Sequence, residues 1–118
     1  MTDIWPTEIK LSSDKRTLQV AFDNGDHFGL PAELLRVMSP SAEVQGHSAE
    51  QRVTVPSKRK VAIRDVRMIG NYAVQIVFDD SHDTGFYRWH YLHDLGSREA
   101  EHWQRYEADL AAKGLSRG

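Results

Sequence analysis

A chain of 118 residues with 40% apolar and 27% charged side chains has room for one domain and an ordinary globular composition, which excludes a fibre or a disordered tail. It contains no cysteine, so a disulfide framework, a thiolate zinc site, a cysteine-ligated iron–sulfur cluster and a cysteine nucleophile are all excluded. The formal net charge of −2 conceals a basic island: residues 52–67 carry a net +5, between flanks of −4 and −3.

In chain order, Thr7–Leu11 alternates Ile9 and Leu11 with Glu8 and Lys10 and predicts a first strand. Thr17–Phe22 alternates Leu18, Val20 and Phe22 and predicts a second. Asp23-Asn24-Gly25-Asp26 is a hairpin turn, because Asn and Gly accept the positive φ of tight turns. His27–Leu30 returns as a third strand. Pro31 then opens a short helix with Leu34, Leu35 and Met38 on one face, ended by Ser39-Pro40.

Residues 40–56 show no period and read as an irregular loop with a short helical turn near Ser41–Val44. Val61–Met68 alternates with a slip at Arg64-Asp65, which predicts a strand with a bulge. Gly70-Asn71 is a second hairpin turn, and Tyr72–Phe78 is the most apolar strand, expected at the centre of its sheet. Asp79–Thr84 is a polar connection and Gly85–Trp89 a short aromatic strand. Tyr91, Leu92 and Leu95 fit a helical turn closed by Gly96. Ser97 reads as the N-cap of a last helix, Arg98–Lys113, with Glu99 and Glu101 at its positive end. Its predicted buried stripe is Trp103, Tyr106 and Leu110 with Ala100 and Ala111. Gly114 ends it, and Leu115–Gly118 is expected to fray. Strands, a short helix, strands and C-terminal helices make a small antiparallel α+β domain over residues 1–118, with a core at about 5–95.

The N-terminus carries Asp3 and Glu8 and no apolar run, so no signal peptide is read there. Apolar stretches of three or four residues fall far short of a membrane span and point to a cytoplasmic protein without a membrane partner. The island at Lys58, Arg59 and Lys60 could face an anionic partner, or simply guard a strand edge. It lacks interleaved aromatics and the pI is near 6.3, which argues against nucleic acid.

Catalytic signatures are missing. The eight glycines form no phosphate-cradling loop, and no GxSxG elbow appears. None of the six histidines starts the HxD of an iron oxygenase triad. Ser81, His82 and Asp83 are adjacent on an extended segment, where neighbours face opposite ways and form no relay. His90 and His93 share a helical face, and His82 leads into the strand before it. A zinc or iron site built from these three with nearby carboxylates is therefore an alternative reading. Its competitor is a structural His82 with His90 and His93 at the surface. The aromatic run Phe86, Tyr87, Trp89 and Tyr91 is expected in the core, with part of it available for docking.

Three segments together carry a resemblance. They are Leu35-Arg36 running into Ser39-Pro40-Ser41-Ala42-Glu43-Val44, then Gly70-Asn71-Tyr72-Ala73-Val74, then Phe78-Asp79-Asp80-Ser81-His82-Asp83-Thr84-Gly85 followed by Tyr87, Trp89 and Leu92. From about Trp5 to Leu95 the chain resembles the gamma-butyrobetaine hydroxylase-like N-terminal domain family. The resemblance implies an accessory module. In carnitine-synthesis hydroxylases such a module precedes the catalytic barrel, it is appended to some iron–sulfur carrier ATPases, and it stands alone in bacteria. It also implies a zinc site of three cysteines, in a Leu-Arg-x-x-Cys-x-Cys-x-x-Cys pattern, and one histidine. Laid on this chain, the cysteine positions fall on Ser39, Ser41 and Val44 and the histidine on His82. Serine is a poor neutral ligand and valine is none, so no zinc site and no cofactor are expected. The resulting expectation is a non-catalytic module acting through a protein partner or self-association, linked by its relatives to iron–sulfur or metal handling. A metal-binding protein using His82 with His90 and His93 is the alternative, and a small enzyme of unrecognised type the second.

Overall fold

Strand β1 (Pro6–Leu11) pairs antiparallel with β2 (Thr17–Phe22), Ile9 opposite Val20 and Leu11 opposite Leu18. Every second residue of β2 is buried, so Leu18, Val20 and Phe22 line one face, as their alternation requires. The turn to β3 (His27–Pro31) has Gly25 at φ 93°, and the Asn24 side chain accepts the Asp26 N–H at 3.0 Å. These three strands make one sheet, in the order β1-β2-β3. This computed structural model describes residues 4–41 and 53–118; the predicted helical turn at 41–44 lies largely outside them.

Helix α1 (Ala32–Val37) follows Pro31, whose fixed φ ends the strand and starts the helix. No side chain caps it. Instead the Ala32 N–H donates to the Arg16 carbonyl at 2.8 Å, which ties the helix start to the β1–β2 hairpin. The second sheet runs β4 (Ile63–Ile69), β5 (Ala73–Phe78) and β6 (Phe86–Arg88), with β5 central as its apolar content predicts. The β4–β5 register slips between Ile63 and Asp65, at the predicted bulge, and Gly70 turns the hairpin at φ 54°. The fold is α+β: two small antiparallel three-strand sheets with α1 after β3 and two C-terminal helices, α2 (Trp89–Ser97) and α3 (Glu99–Ala112). Among the described residues, both sheets and the three helices contribute to one buried cluster, including Leu18, Phe78, Leu35, Leu92 and Leu110.

Three local expectations are corrected. Gly96 does not close the helix; it lies inside α2, where a Cβ would meet the Phe28 ring at 2.3 Å. The glycine is there because β3 packs against the helix at that point. Ser97 caps nothing: it ends α2, and Arg98 precedes α3 with no side-chain cap. The Arg98 N–H still donates to the Asp94 carbonyl at 3.0 Å, so the two helices are separated by one residue only. Along α3, Tyr106 and Leu110 are buried and Trp103 is half-buried, but Ala100 and Ala111 face solvent.

The C-terminal tail is not frayed. Gly114 (φ 65°) ends α3 with the Leu115 N–H reaching back to the Leu110 carbonyl at 2.8 Å. Beyond it, Ser57 and Arg59 donate backbone N–H bonds to the carbonyls of Ser116 and Arg117. Arg117 forms a two-pronged bond to the buried Glu33, at 2.8 and 2.7 Å, and lies over the Trp103 ring. A paired buried carboxylate is what holds this terminus down.

Candidate functional site

The connection after β5 is a tight turn. Phe78 accepts the Ser81 N–H and donates its own N–H to the His82 carbonyl at 3.0 Å, with Ser81 at φ 73°. Asp80 sits at its centre. One carboxylate oxygen accepts the His82 N–H at 3.1 Å, and the other accepts Arg36 Nε at 2.8 Å and Lys58 Nζ at 2.7 Å. Burial alone would raise the Asp80 pKa. The bonds from Lys58, the His82 N–H and Arg36 outweigh it and hold the group down at about 2. Asp80 thus joins the turn, helix α1 and the segment before β4.

The turn delivers His82 into the interior, where it meets the end of α1. His82 Nε2 lies 2.9 Å from Ser39 Oγ and 3.4 Å from Ser41 Oγ, and the two hydroxyls are 3.4 Å apart. All three residues are buried. Tyr87 packs beneath them, its hydroxyl bonded to the Leu35 carbonyl, and burial pushes its pKa far up. Gly85 completes the wall: a Cβ there would lie 2.5 Å from Ser39 Oγ.

So the positions that correspond to the resembled family's metal ligands do converge, save for position 44, which lies outside the described residues. Their chemistry does not suit zinc. Two neutral hydroxyls and one imidazole are not a zinc donor set, and the 2.9 Å bond from Ser39 engages the nitrogen that would ligate. What the arrangement can do is hold the α1 end, the turn and β6 together by buried polar contacts.

The other nominated residues lie apart from this cluster. His93 Nε2 pairs with Asp26 at 2.7 Å, its ring packed edge-on against Phe22 and Phe28. His90 is exposed and lines a surface groove with Tyr72 and Arg88. Among the described residues, no three His, Asp or Glu side chains are placed to share a metal ion. In the basic island, Lys58 is committed to Asp80, while Arg59 and Lys60 border a depression beside Ser57 and Gly118. The aromatic run divides as alternation requires: Tyr87 and Trp89 are buried, Tyr91 is half-buried, and Phe86 is exposed.

Two aromatics escaped the sequence reading. Trp5 and Tyr72 are each 44% exposed and face a groove of 180 Å³ with Ile4, Arg88, Trp89 and His90. Arg88 stacks over the Tyr72 ring, and the Trp89 indole N–H donates to the Asn71 carbonyl at 3.0 Å. The available signal was a tryptophan outside any apolar run and a tyrosine beside a turn. Among the described residues, no helix is long and apolar enough to cross a membrane.

Residues 9–93 match the family described as gamma-butyrobetaine hydroxylase-like, N-terminal. No curated protein matches the chain. Two proteins with NMR solution structures are 47% and 42% identical to it, with TM-scores of 0.83 and 0.82; the matches cover 99% and 96% of this chain and 90% and 89% of theirs. A crystal structure of a protein of unknown function of the DUF971 family, from Acidithiobacillus ferrooxidans, is 36% identical with a TM-score of 0.61, covering 76% of this chain and 90% of that one. The matches thus span about nine-tenths of each of those solved chains, and the matching family model describes an N-terminal domain. The chain belongs to the gamma-butyrobetaine hydroxylase-like N-terminal domain family, whose stand-alone members have no assigned function.

Proposed function

We propose that this protein is a non-catalytic accessory module that works by binding a partner protein. The observation that carries the reading is the groove where Trp5 and Tyr72 stand exposed beside Arg88, Trp89 and His90. Large aromatics and arginine are the side chains most enriched at protein interfaces, and a folded chain gains nothing by leaving two of them in water. In support of the non-catalytic part, Ser39, Ser41 and His82 are buried and bonded to one another, which is a structural use of these side chains. In this reading no metal is required. The appended position of similar modules on iron–sulfur carrier ATPases makes metal-handling assemblies the place to seek the partner.

The test is affinity capture at native salt with wild type, a Trp5→Ser/Tyr72→Ser variant and a Lys58→Glu/Arg59→Glu/Lys60→Glu variant, each first shown to be folded. A partner kept by wild type and lost by the aromatic variant is the expected result. Loss by the basic-island variant alone would move the interface to that face. No partner, together with a monomer at high protein concentration, overturns the proposal. Stoichiometric zinc or iron in protein purified without a histidine tag would overturn its metal-free part.

A further inference from the structure

A second cleft, of about 370 Å³, opens between the two sheets, well within the range of small-molecule pockets. One wall is Ile9, Leu11 and Leu18 from β1 and β2; the other is Val66, Met68 and Val74 from β4 and β5. Every one of these is aliphatic or a thioether, with no aromatic face and no hydroxyl among them. The walls are tied at one end, where the Ile63 N–H donates to the Lys15 carbonyl at 2.7 Å. Lys15 and Arg64 stand at the rim on that side, both exposed.

The charges at the rim are not balanced. Asp65 is the acid in the cleft lining, and it is committed to Arg67 at 2.9 Å and to the Val66 N–H at 2.9 Å. Arg64 donates to the Asp79 carbonyl at 3.3 Å, which positions the guanidinium without neutralising it. Among the described residues, neither Lys15 nor Arg64 has a carboxylate within 4 Å, although the Lys15 charge is near enough to help hold the Asp65 carboxyl below its usual range. A greasy slot whose rim carries two cations against one carboxylate, itself bonded to Arg67, complements a molecule with a saturated chain at one end and an anion at the other.

We propose that the cleft between β1 and β4 binds an aliphatic carboxylate, its chain against Ile9, Leu11, Val66 and Met68 and its head group at Lys15 and Arg64. An aromatic ligand would find no ring to stack on. An aliphatic amine would meet two like charges. This face is separate from the Trp5–Tyr72 groove, so the inference stands independently of the partner reading.

The experiment is amide chemical-shift titration of the full chain with sodium hexanoate, octanoate and decanoate, and with decylammonium as the cationic control. The expected result is saturable shifts centred on Ile9, Leu11, Val66 and Met68, with affinity rising about two- to fourfold per methylene. Decylammonium should bind about tenfold more weakly than decanoate. Lys15→Glu/Arg64→Glu, whose sites are exposed, should keep its melting temperature and reverse the preference between the two. No saturable shift at millimolar decanoate, equal binding of decylammonium, or shifts centred on Trp5 and Tyr72 would each overturn the proposal.

Discussion

The Ser39–His82 cluster and the β1–β4 cleft are both places where polar and apolar groups meet, and they are built in opposite ways. In the cluster, Ser39, Ser41 and His82 bond to one another, and Asp80 collects a backbone N–H and two cations. In the cleft, aliphatic side chains line open space, and Lys15 and Arg64 keep their charge. A buried cluster whose members bond to one another stabilises the fold. An open apolar slot with two cations against one carboxylate at its rim has capacity left for a ligand. Ser39, Ser41 and His82 are thus part of the core in this chain, whereas the cleft and the Trp5–Tyr72 groove are open to solvent.

The sharpest way to break that contrast is to add one methyl group to each region. Gly85→Ala places a carbon 2.5 Å from Ser39 Oγ and 3.1 Å from the Tyr87 ring, so Ser39 must leave His82. We expect a loss of about 2 kcal/mol in urea unfolding, within the range for overpacked cores. The one added carbon of Val66→Ile, on the half-buried wall of the cleft, should change stability by less than about 0.5 kcal/mol. Equal losses would show that the cleft is as tightly packed as the cluster.

A smaller effect tests the hydrogen bond itself. Ser39→Ala removes the partner at 2.9 Å and should cost about 1 kcal/mol, the net worth of a buried hydrogen bond, since Ser41 Oγ still lies 3.4 Å from His82 Nε2. His82→Ala removes the ring as well and should cost more. A double-mutant cycle of the two should show a coupling of about 1 kcal/mol. If the two losses simply add, the pair is a neighbour contact and not a bond that matters.

How legible each region was follows from how far apart its partners lie in the chain. Both hairpins could be read because their turn chemistry, at Asn24-Gly25 and Gly70, is contained in adjacent residues. The bulge at Arg64 showed as a break in alternation for the same reason. Gly96 was misread because its reason for being glycine is the Phe28 ring, which belongs to β3. The ordered C-terminus was missed because Arg117 is anchored by Glu33, 84 residues earlier. Ser39 and His82 are 43 residues apart, and only the family resemblance brought them together before the fold did. The Trp5–Tyr72 groove had no such guide: exposure is a property of the assembled surface, and no local pattern encodes it.

Asp80 gives the cluster a pH signature of its own. Its folded pKa of about 2 lies below the ordinary value near 3.9, so its bonds stabilise the fold fully above about pH 4 and are lost as pH falls toward 2. After allowance for partial solvent exposure, the contribution is about 1 kcal/mol. Wild type should lose that amount, beyond the general acid loss, between pH 4 and 2, and Asp80→Asn should show a correspondingly flatter acid limb. Identical slopes would mean that Arg36 and Lys58 do not stabilise the turn.

The smallest expected effect bears most directly on function. Reversing Lys15 and Arg64 to Glu removes two exposed cations with no carboxylate within 4 Å among the described residues, so stability should move by less than about 0.5 kcal/mol. Reversing Lys58 instead breaks its 2.7 Å pair and puts a second carboxylate beside Asp80, so that change should be clearly destabilising. Cations that can be reversed without harm to the fold have no structural duty to explain their place at an apolar mouth. Chemical denaturation of the two variants side by side decides it: a large loss in the Lys15/Arg64 variant would mean that these charges hold the sheets together, and the cleft would then be a seam in the fold and not a site.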